Sequence, residues 1–119
     1  MKPVSDIFQI AADSTFEPAG PGCMRQLLGY NGELMLVKAV FSRGGVGALH
    51  SHPHSQATYV AAGAFEVTVG DTSRVIAAGD GFFVEPGALH GCVCLEDGIL
   101  IDAFNPARTD FLQGKDGLP

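Results

Sequence analysis

Three of the four histidines lie within five residues, in the segment GALHSHPHSQ. Alternate residues of a β-strand project from the same face, so His50 and His52 can point together into a fold. Pro53 interrupts strand pairing, and we therefore expect His54 at the mouth of the fold or outside it. Neighbouring imidazoles are typical ligands of transition metals. An isolated His-x-His pair also occurs by chance in exposed turns, so the pair alone does not choose between a metal site and a polar turn.

The histidine pair belongs to a longer pattern of spaced residues. Five residues separate Gly44 from His50, one separates His50 from His52, three lead on to Gln56 and six more to Gly63. The amide oxygen of Gln56 could complete a mixed nitrogen and oxygen ligand set with the imidazoles. Alternatively, Gln56 could simply accept a hydrogen bond from His52.

A second spaced pattern follows further along the chain, in the segment GDGFFVEPGALHG. Five residues separate Gly79 from the Glu85-Pro86-Gly87 turn, and two more separate the turn from His90. A fold that brings this segment opposite the first would add His90 to the possible ligands.

Short β-strands must position these side chains. Glycine or proline recurs at short intervals, and the segments between are rich in β-branched, aromatic and aliphatic residues: LMLVKAVF, ATYVAA, AFEVTV, RVIAA, GFFVE and GILIDAF. Few of these segments are long enough for a helix, and the pattern predicts an all-β sandwich or barrel. A chain of 119 residues is the size of one domain.

Composition excludes several classes of partner. The net charge of -6 and a pI near 4.9 argue against binding to nucleic acid or to an anionic membrane surface. No apolar run approaches the roughly 18 residues that would span a bilayer, so we predict a soluble, cytoplasmic protein. Three cysteines make a disulfide framework improbable, and we interpret Cys92 and Cys94 as small buried hydrophobic residues.

The two spaced patterns resemble the two motifs of the cupin superfamily. Gln56 stands where the first motif has glutamate, and Glu85 stands where the second begins with proline. The resemblance implies a single-domain cupin, a jelly-roll barrel or double-stranded β-helix, over residues 23–112. Residues 1–22 would form an N-terminal segment, part of which could lie as a strand across a partner subunit, and residues 113–119 a C-terminal tail. It also implies that one divalent transition metal ion, Zn, Ni, Fe or Mn, is bound by His50, His52, Gln56 and His90.

The chain is further similar to the KdgF-type cupins of pectin and alginate degradation. The likeness is carried by RQLLGYNGELMLVKAVF, HSQATYVAAG and GILIDAFNPARTDFL and spans residues 25–112. It implies a metal-dependent isomerase-type enzyme that converts 4,5-unsaturated monouronates into linear 5-keto-4-deoxyuronate. The implied partners are a small anionic sugar and a second copy of the chain, in a homodimer.

The same resemblance suggests roles for residues outside the ligand set. Asp102 lies between apolar neighbours of the same strand parity, which can raise the pKa of its carboxyl and suit it for proton transfer. Arg108 could clamp the uronate carboxylate, and Phe104 could pack against the sugar. Gln26 and Tyr30 could line the cavity entrance. Without the resemblance, the residues themselves favour a paired surface carboxylate for Asp102, an ordinary core residue for Phe104 and a solvated charge near Asp110 for Arg108.

Two other classes of function use the same residues. One is a cupin dioxygenase or lyase that acts on another small acid. The other is a sugar-binding cupin without catalytic activity. The fold alone does not choose between them, because one fold hosts many activities.

Overall fold

The structure is a computed structural model that describes residues 3–112. It contains two short 3-10 helices, Ala11–Asp13 and Thr109–Leu112, and no longer helix within that range. None of its helices is long and apolar enough to cross a bilayer. The eight strands are β1 (Glu17–Pro18), β2 (Cys23–Tyr30), β3 (Met35–Phe41), β4 (Val46–His50), β5 (Ser55–Val69), β6 (Thr72–Ala77), β7 (Gly81–Val84) and β8 (His90–Asn105).

All eight strands join in one antiparallel sheet, which confirms the predicted all-β barrel class. The strand order is β1-β2-β3-β8-β5-β6, with β4 added to β8 and β7 added to β5. The long strands β5 and β8 therefore hold the fold together. The first part of β8 pairs with β4, its last part pairs with β3, and β5 pairs along both parts.

Two glycines allow β5 and β8 to approach closely where their pairing is irregular. Gly63 has a φ of 80°, and a Cβ there would lie 2.4 Å from the carbonyl oxygen of Asp97. A Cβ at Gly98 would lie 2.6 Å from the ring of Phe65. Only glycine fits such close approaches, and the pairing of β5 with β8 is irregular between Val60 and Phe65.

Two hydrophobic clusters fill the interior. Strand β3 supplies both, because its alternate side chains Met35, Val37, Ala39 and Phe41 are all buried. The larger cluster comprises Cys23, Ala39, Phe41, Val60, Phe65, Val67, Cys94 and Leu100. The smaller comprises Met35, Val37, Phe104, Ala107 and Leu112.

The N-terminal segment packs beside β2. The backbone of Ser5 donates to Tyr30, and Glu17 and Pro18 of β1 pair with Arg25 and Met24. Ile7 and Phe8 are 90% and 77% exposed. Exchange of this segment with a partner subunit stays a prediction, and the predicted tail at 113–119 lies outside the described residues.

Candidate metal centre and active site

Three histidines converge at one end of the barrel. His50 ends β4 and pairs with His90, the first residue of β8. The spacing predicts His50 and His52 on one strand. In the structure β4 ends at His50, so His52 lies in the loop that follows. One ring nitrogen from each lies within 4.8 Å of the other two. His52 and His90 are buried and His50 is exposed, so the cluster is open to ligands through His50.

Backbone carbonyl groups orient all three rings. Each Nδ1 lies at hydrogen-bond distance from a carbonyl oxygen, which favours the tautomer that leaves Nε2 as a lone-pair donor. The pairs are His50 with Ala48 (2.7 Å), His52 with His54 (3.1 Å) and His90 with Ala88 (3.0 Å). The buried Nε2 of His90 has no hydrogen-bond partner among residues 3–112. Metal-binding histidines are commonly anchored in this way.

Gln56 brings an amide oxygen next to this cluster, at the distance from His52 that a hydrogen bond between the two side chains also requires. Its Oε1 lies 2.9 Å from Nε2 of His52, while its Nε2 donates to Thr58 (3.0 Å) and more weakly to Asp102 (3.4 Å). With Nδ1 of His52 as the donor to a carbonyl, Nε2 of His52 and Oε1 of Gln56 both present lone pairs to each other. A cation bound between them would remove that repulsion. The side chains therefore fit one divalent ion.

The electrostatic surroundings keep the buried imidazoles neutral. Burial lowers the pKa of His52 and of His90 below the ordinary value, and nearby positive groups add to the effect. Neutral imidazole is the form that binds metal. Three imidazoles and one amide carry no charge, so a divalent ion held by them would keep its full positive charge.

Asp102 lies next to Gln56, with Oδ1 3.4 Å from the amide nitrogen of that residue. It pairs across strands with Thr58 of β5, and the Thr58 hydroxyl donates a 2.6 Å hydrogen bond to Oδ1 of the carboxylate. Burial raises the pKa of Asp102 to about 6, although the Thr58 hydrogen bond and the charge of Arg108 partly oppose the shift. A carboxyl with this pKa can both give and accept a proton near neutral pH.

A cavity of about 310 Å³ joins these residues. Its polar lining includes His50, Gln56, His90 and Asp102, and apolar side chains of the core form much of the rest. The volume is at the lower end of the range for small-molecule sites. It suits a single sugar ring better than an oligosaccharide.

Phe104 and Arg108 also line the cavity. Phe104 is buried, with its ring centroid 5.7 Å from that of His52. Arg108 stacks on Phe104 and donates from Nε and Nη2 to both carboxylate oxygens of Asp110, at 3.0 and 2.9 Å. The structure therefore brings both predicted residues to the cavity beside the histidine cluster, where Arg108 forms an ion pair with Asp110.

Gln26 and Tyr30 lie elsewhere. They line a separate hollow beneath the N-terminal segment, where Gln26 is buried and donates to the hydroxyl of Ser14. The neighbouring Arg25 borders this hollow too, but it also lines the cavity that holds the histidines. Neither Gln26 nor Tyr30 lines the cavity that holds the histidines, and a substrate contact through them stays a prediction.

The remaining residues singled out from the sequence lie around the site. His54 is half-buried, outside the three-histidine cluster, with its ring centroid 6.4 Å from that of Phe104. Cys94 is buried in the core, whereas Cys92 lines the cavity. Burial raises the pKa of Cys92 to about 11, which keeps its thiol protonated in the metal-free protein.

Sequence reasoning missed Arg25 and Phe111, which line the cavity, and Thr58, which donates a hydrogen bond to Asp102. Phe111 comes from the second 3-10 helix, which carries Arg108 and Asp110 on or beside it. The alternation of β5 would have identified Thr58, since it shares the parity of Gln56.

A family model described as the cupin domain matches residues 37–101. This range holds the three clustered histidines and Gln56.

Several proteins resemble the chain over most of its length. The pectin degradation protein KdgF of Dickeya dadantii (strain 3937) is 39% identical over 102 residues, 84% of this chain and 93% of the Dickeya protein. Among solved structures, an RmlC-like cupin from Shewanella frigidimarina NCIMB 400 has a TM-score of 0.88 and 48% identity, covering 91% of this chain and 97% of that one. KdgF from Halomonas sp. has a TM-score of 0.84 and 38% identity, covering 88% and 99%.

Proposed function

The chain belongs to the cupin domain family, and we propose that it is a metal-dependent isomerase-type enzyme acting on unsaturated uronates. The substrates would be 4,5-unsaturated monouronates derived from pectin or alginate, and the product linear 5-keto-4-deoxyuronate. The name of the Dickeya relative supports a role in pectin degradation. The observation that carries the proposal is the position of Asp102, a carboxyl of raised pKa that faces a sugar-sized cavity beside the histidine cluster.

The reaction is an isomerisation in which atoms and electrons balance. The bond between C1 and the ring oxygen breaks, the C1 hydroxyl loses its proton to give an aldehyde, and the ring oxygen gains a proton. The resulting enol loses its hydroxyl proton to become the C5 ketone, and C4 gains a proton. No oxidant, reductant or organic cofactor is consumed.

Four neutral side chains of the site would hold a positive charge next to this enol and so stabilise it. His50, His52, Gln56 and His90 would bind one divalent ion, which supplies positive charge close to the reacting oxygens. Their anchored rings keep that charge fixed in place, so little reorganisation accompanies the reaction.

Asp102 is the group that we assign to the proton transfer to C4. Its Oδ1 is engaged by Thr58 and Gln56, and Oδ2 has no hydrogen-bond partner among residues 3–112, which leaves that oxygen for the substrate. General acid or base catalysis by such a group contributes a factor of roughly 10² to 10⁴. Arg108 would orient the anionic sugar, and Phe104 would pack against its apolar face.

Loss of the conjugated double bond tests this proposal. The ultraviolet absorbance of a 4,5-unsaturated galacturonate monomer should fall faster with the wild type than spontaneously. Chelation and Asp102→Asn should each slow the loss, and Asp102→Asn should retain metal. Absence of any acceleration by the metal-loaded wild type would refute the assigned reaction.

The same preparations separate the two other classes of function. A dioxygenase would stop under anaerobic conditions, whereas the isomerisation should proceed unchanged. A sugar-binding module would bind the uronate equally well before and after Asp102→Asn and would accelerate nothing. An enzyme should keep binding after that substitution and lose turnover.

A further inference from the structure

Two guanidinium groups lie against one aromatic ring at the cavity. Cζ of Arg25 is 3.7 Å from the ring centroid of Phe111, and Cζ of Arg108 is 4.2 Å from the same centroid. The two Cζ atoms can be no further apart than these two distances combined. Both arginines line the cavity that holds the histidine cluster. An acidic chain with seven lysines and arginines thus brings two of them to one site.

The two arginines differ in the hydrogen bonds that they already make. Nε and Nη2 of Arg108 donate to the two carboxylate oxygens of Asp110, so this guanidinium already holds one carboxylate in a bidentate ion pair. Arg25 donates only from Nε, to Glu17 at 2.9 Å. Neither Nη1 nor Nη2 of Arg25 has a hydrogen-bond partner among residues 3–112. Arg25 therefore keeps both N–H donors on each of Nη1 and Nη2, and no carboxylate within the described residues already holds it in a bidentate pair.

Its surroundings fix the orientation of Arg25. Glu17 stands directly opposite it in the β1–β2 pair, and the ring of Phe111 covers its guanidinium. The side chain is 23% exposed, so it is accessible but not free in solvent. A guanidinium held in this way loses less conformational entropy when it binds a ligand.

We propose that Arg25 is a specificity-determining residue that binds the substrate carboxylate through Nη1 and Nη2. The inference rests on the proposed function, since it assigns a group to the carboxylate of the uronate. Planar guanidinium matches carboxylate geometry, and the net negative charge of the chain leaves recognition of an anion to local cations. Arg108, paired with Asp110, then contributes charge and stacking rather than the main carboxylate contact.

Binding of galacturonate, which is saturated and cannot react, tests this role. Dissociation constants are measured by calorimetry for the wild type, Arg25→Gln, Arg25→Lys and Arg74→Gln, with galacturonate and with its methyl ester. Arg74 is exposed on β6 and provides the matched change in charge. Metal content and the unfolding temperature of each variant report whether the site is intact.

We expect Arg25→Gln to weaken galacturonate binding by roughly ten- to a hundredfold while changing binding of the uncharged ester little. Arg25→Lys keeps the charge without the paired donors and should lie between, and Arg74→Gln should match the wild type. With the unsaturated substrate, Arg25→Gln should raise KM more than it lowers kcat.

Two results would overturn this assignment. Equal galacturonate affinities of Arg25→Gln and the wild type would exclude a carboxylate contact. Equal weakening of both ligands would indicate that Arg25 only supports Phe111 and the shape of the cavity. With the unsaturated substrate, an unchanged KM in Arg25→Gln would overturn this inference alone, whereas a wild type that does not accelerate loss of the double bond would overturn the proposed function, so the two failures are distinguishable.

Discussion

Thr58 and Asp102 face each other across β5 and β8, and the Thr58 hydroxyl donates a 2.6 Å hydrogen bond to Oδ1 of Asp102. The same hydroxyl accepts a hydrogen bond from Nε2 of Gln56, whose Oε1 points at His52. One short chain of side chains therefore connects the histidine cluster to the carboxyl that we assign to proton transfer.

Removal of the Thr58 hydroxyl should change the pH dependence of turnover. A hydrogen bond to the ionised carboxylate lowers its pKa, so Thr58→Val should raise the pKa of Asp102 and move the corresponding limb of the kcat/KM profile to higher pH. Thr58→Ser should keep the wild-type profile. Thr68→Val, which removes a β5 hydroxyl bonded to Ser73, is the matched control. An unchanged profile in Thr58→Val would show that the protonation state of Asp102 does not control kcat/KM.

The metal content of purified variants should follow the geometry of the cluster. We expect about one divalent ion per chain in the wild type and far less in His90→Ala, because that substitution removes one of the three clustered ligands. His54→Ala should retain the ion, since His54 lies outside the cluster. Elemental analysis measures the content, and a rise in unfolding temperature on adding metal should appear only in proteins that bind it. Loss of the ion from His54→Ala would contradict this ligand set.

The free energy of unfolding of the metal-free protein should depend on pH through the titration of Asp102. Its pKa is about 6 in the folded chain and near 4 in an unfolded one, so the folded state binds the proton more tightly. Stabilisation is complete below about pH 4 and is lost as pH rises through 6, by about 3 kcal/mol. Asp102→Asn should lack this loss. Denaturant unfolding between pH 4 and 7 measures the difference, and parallel curves for the two proteins would refute it.

The homodimer suggested by the resemblance stays a prediction. The N-terminal segment leaves Ile7 and Phe8 90% and 77% exposed, which is unusual for large apolar side chains of a monomer. Light scattering should give twice the chain mass of 12.4 kDa, and Ile7→Asp with Phe8→Asp should reduce it to a single chain. A monomeric wild type would rule out the dimer.

Much of the fold and the histidine cluster could be predicted from the sequence and its resemblance to the two cupin motifs. Glycine-punctuated apolar segments predicted an all-β domain, and the two motifs predicted the meeting of His50, His52 and His90. Gln56 was also identified, because its distance from the histidines is fixed by the short connection between β4 and β5.

The sequence was less informative about β2, because a shift of one residue decides whether Arg25 or Gln26 faces the cavity. Gln26 was expected at the cavity entrance, but Arg25 lines the cavity and Gln26 lies under the N-terminal segment. Which parity of a strand faces inward depends on its register with β3, where Arg25 pairs with Ala39. Local sequence does not specify that register. Phe111 was missed for a similar reason, since only the path of the chain after β8 brings it to the cavity.

Deuterium incorporation at C4 tests the central claim most directly. The metal-loaded wild type converts 4,5-unsaturated galacturonate in deuterated water, and early product is analysed by NMR. Delivery of the proton by Asp102 from one side of the cavity predicts deuterium in a single C4 position, and Asp102→Asn should lose this selectivity and slow by roughly a hundredfold or more. Equal deuteration of both C4 positions by the wild type, at the rate of the uncatalysed reaction, would contradict the account.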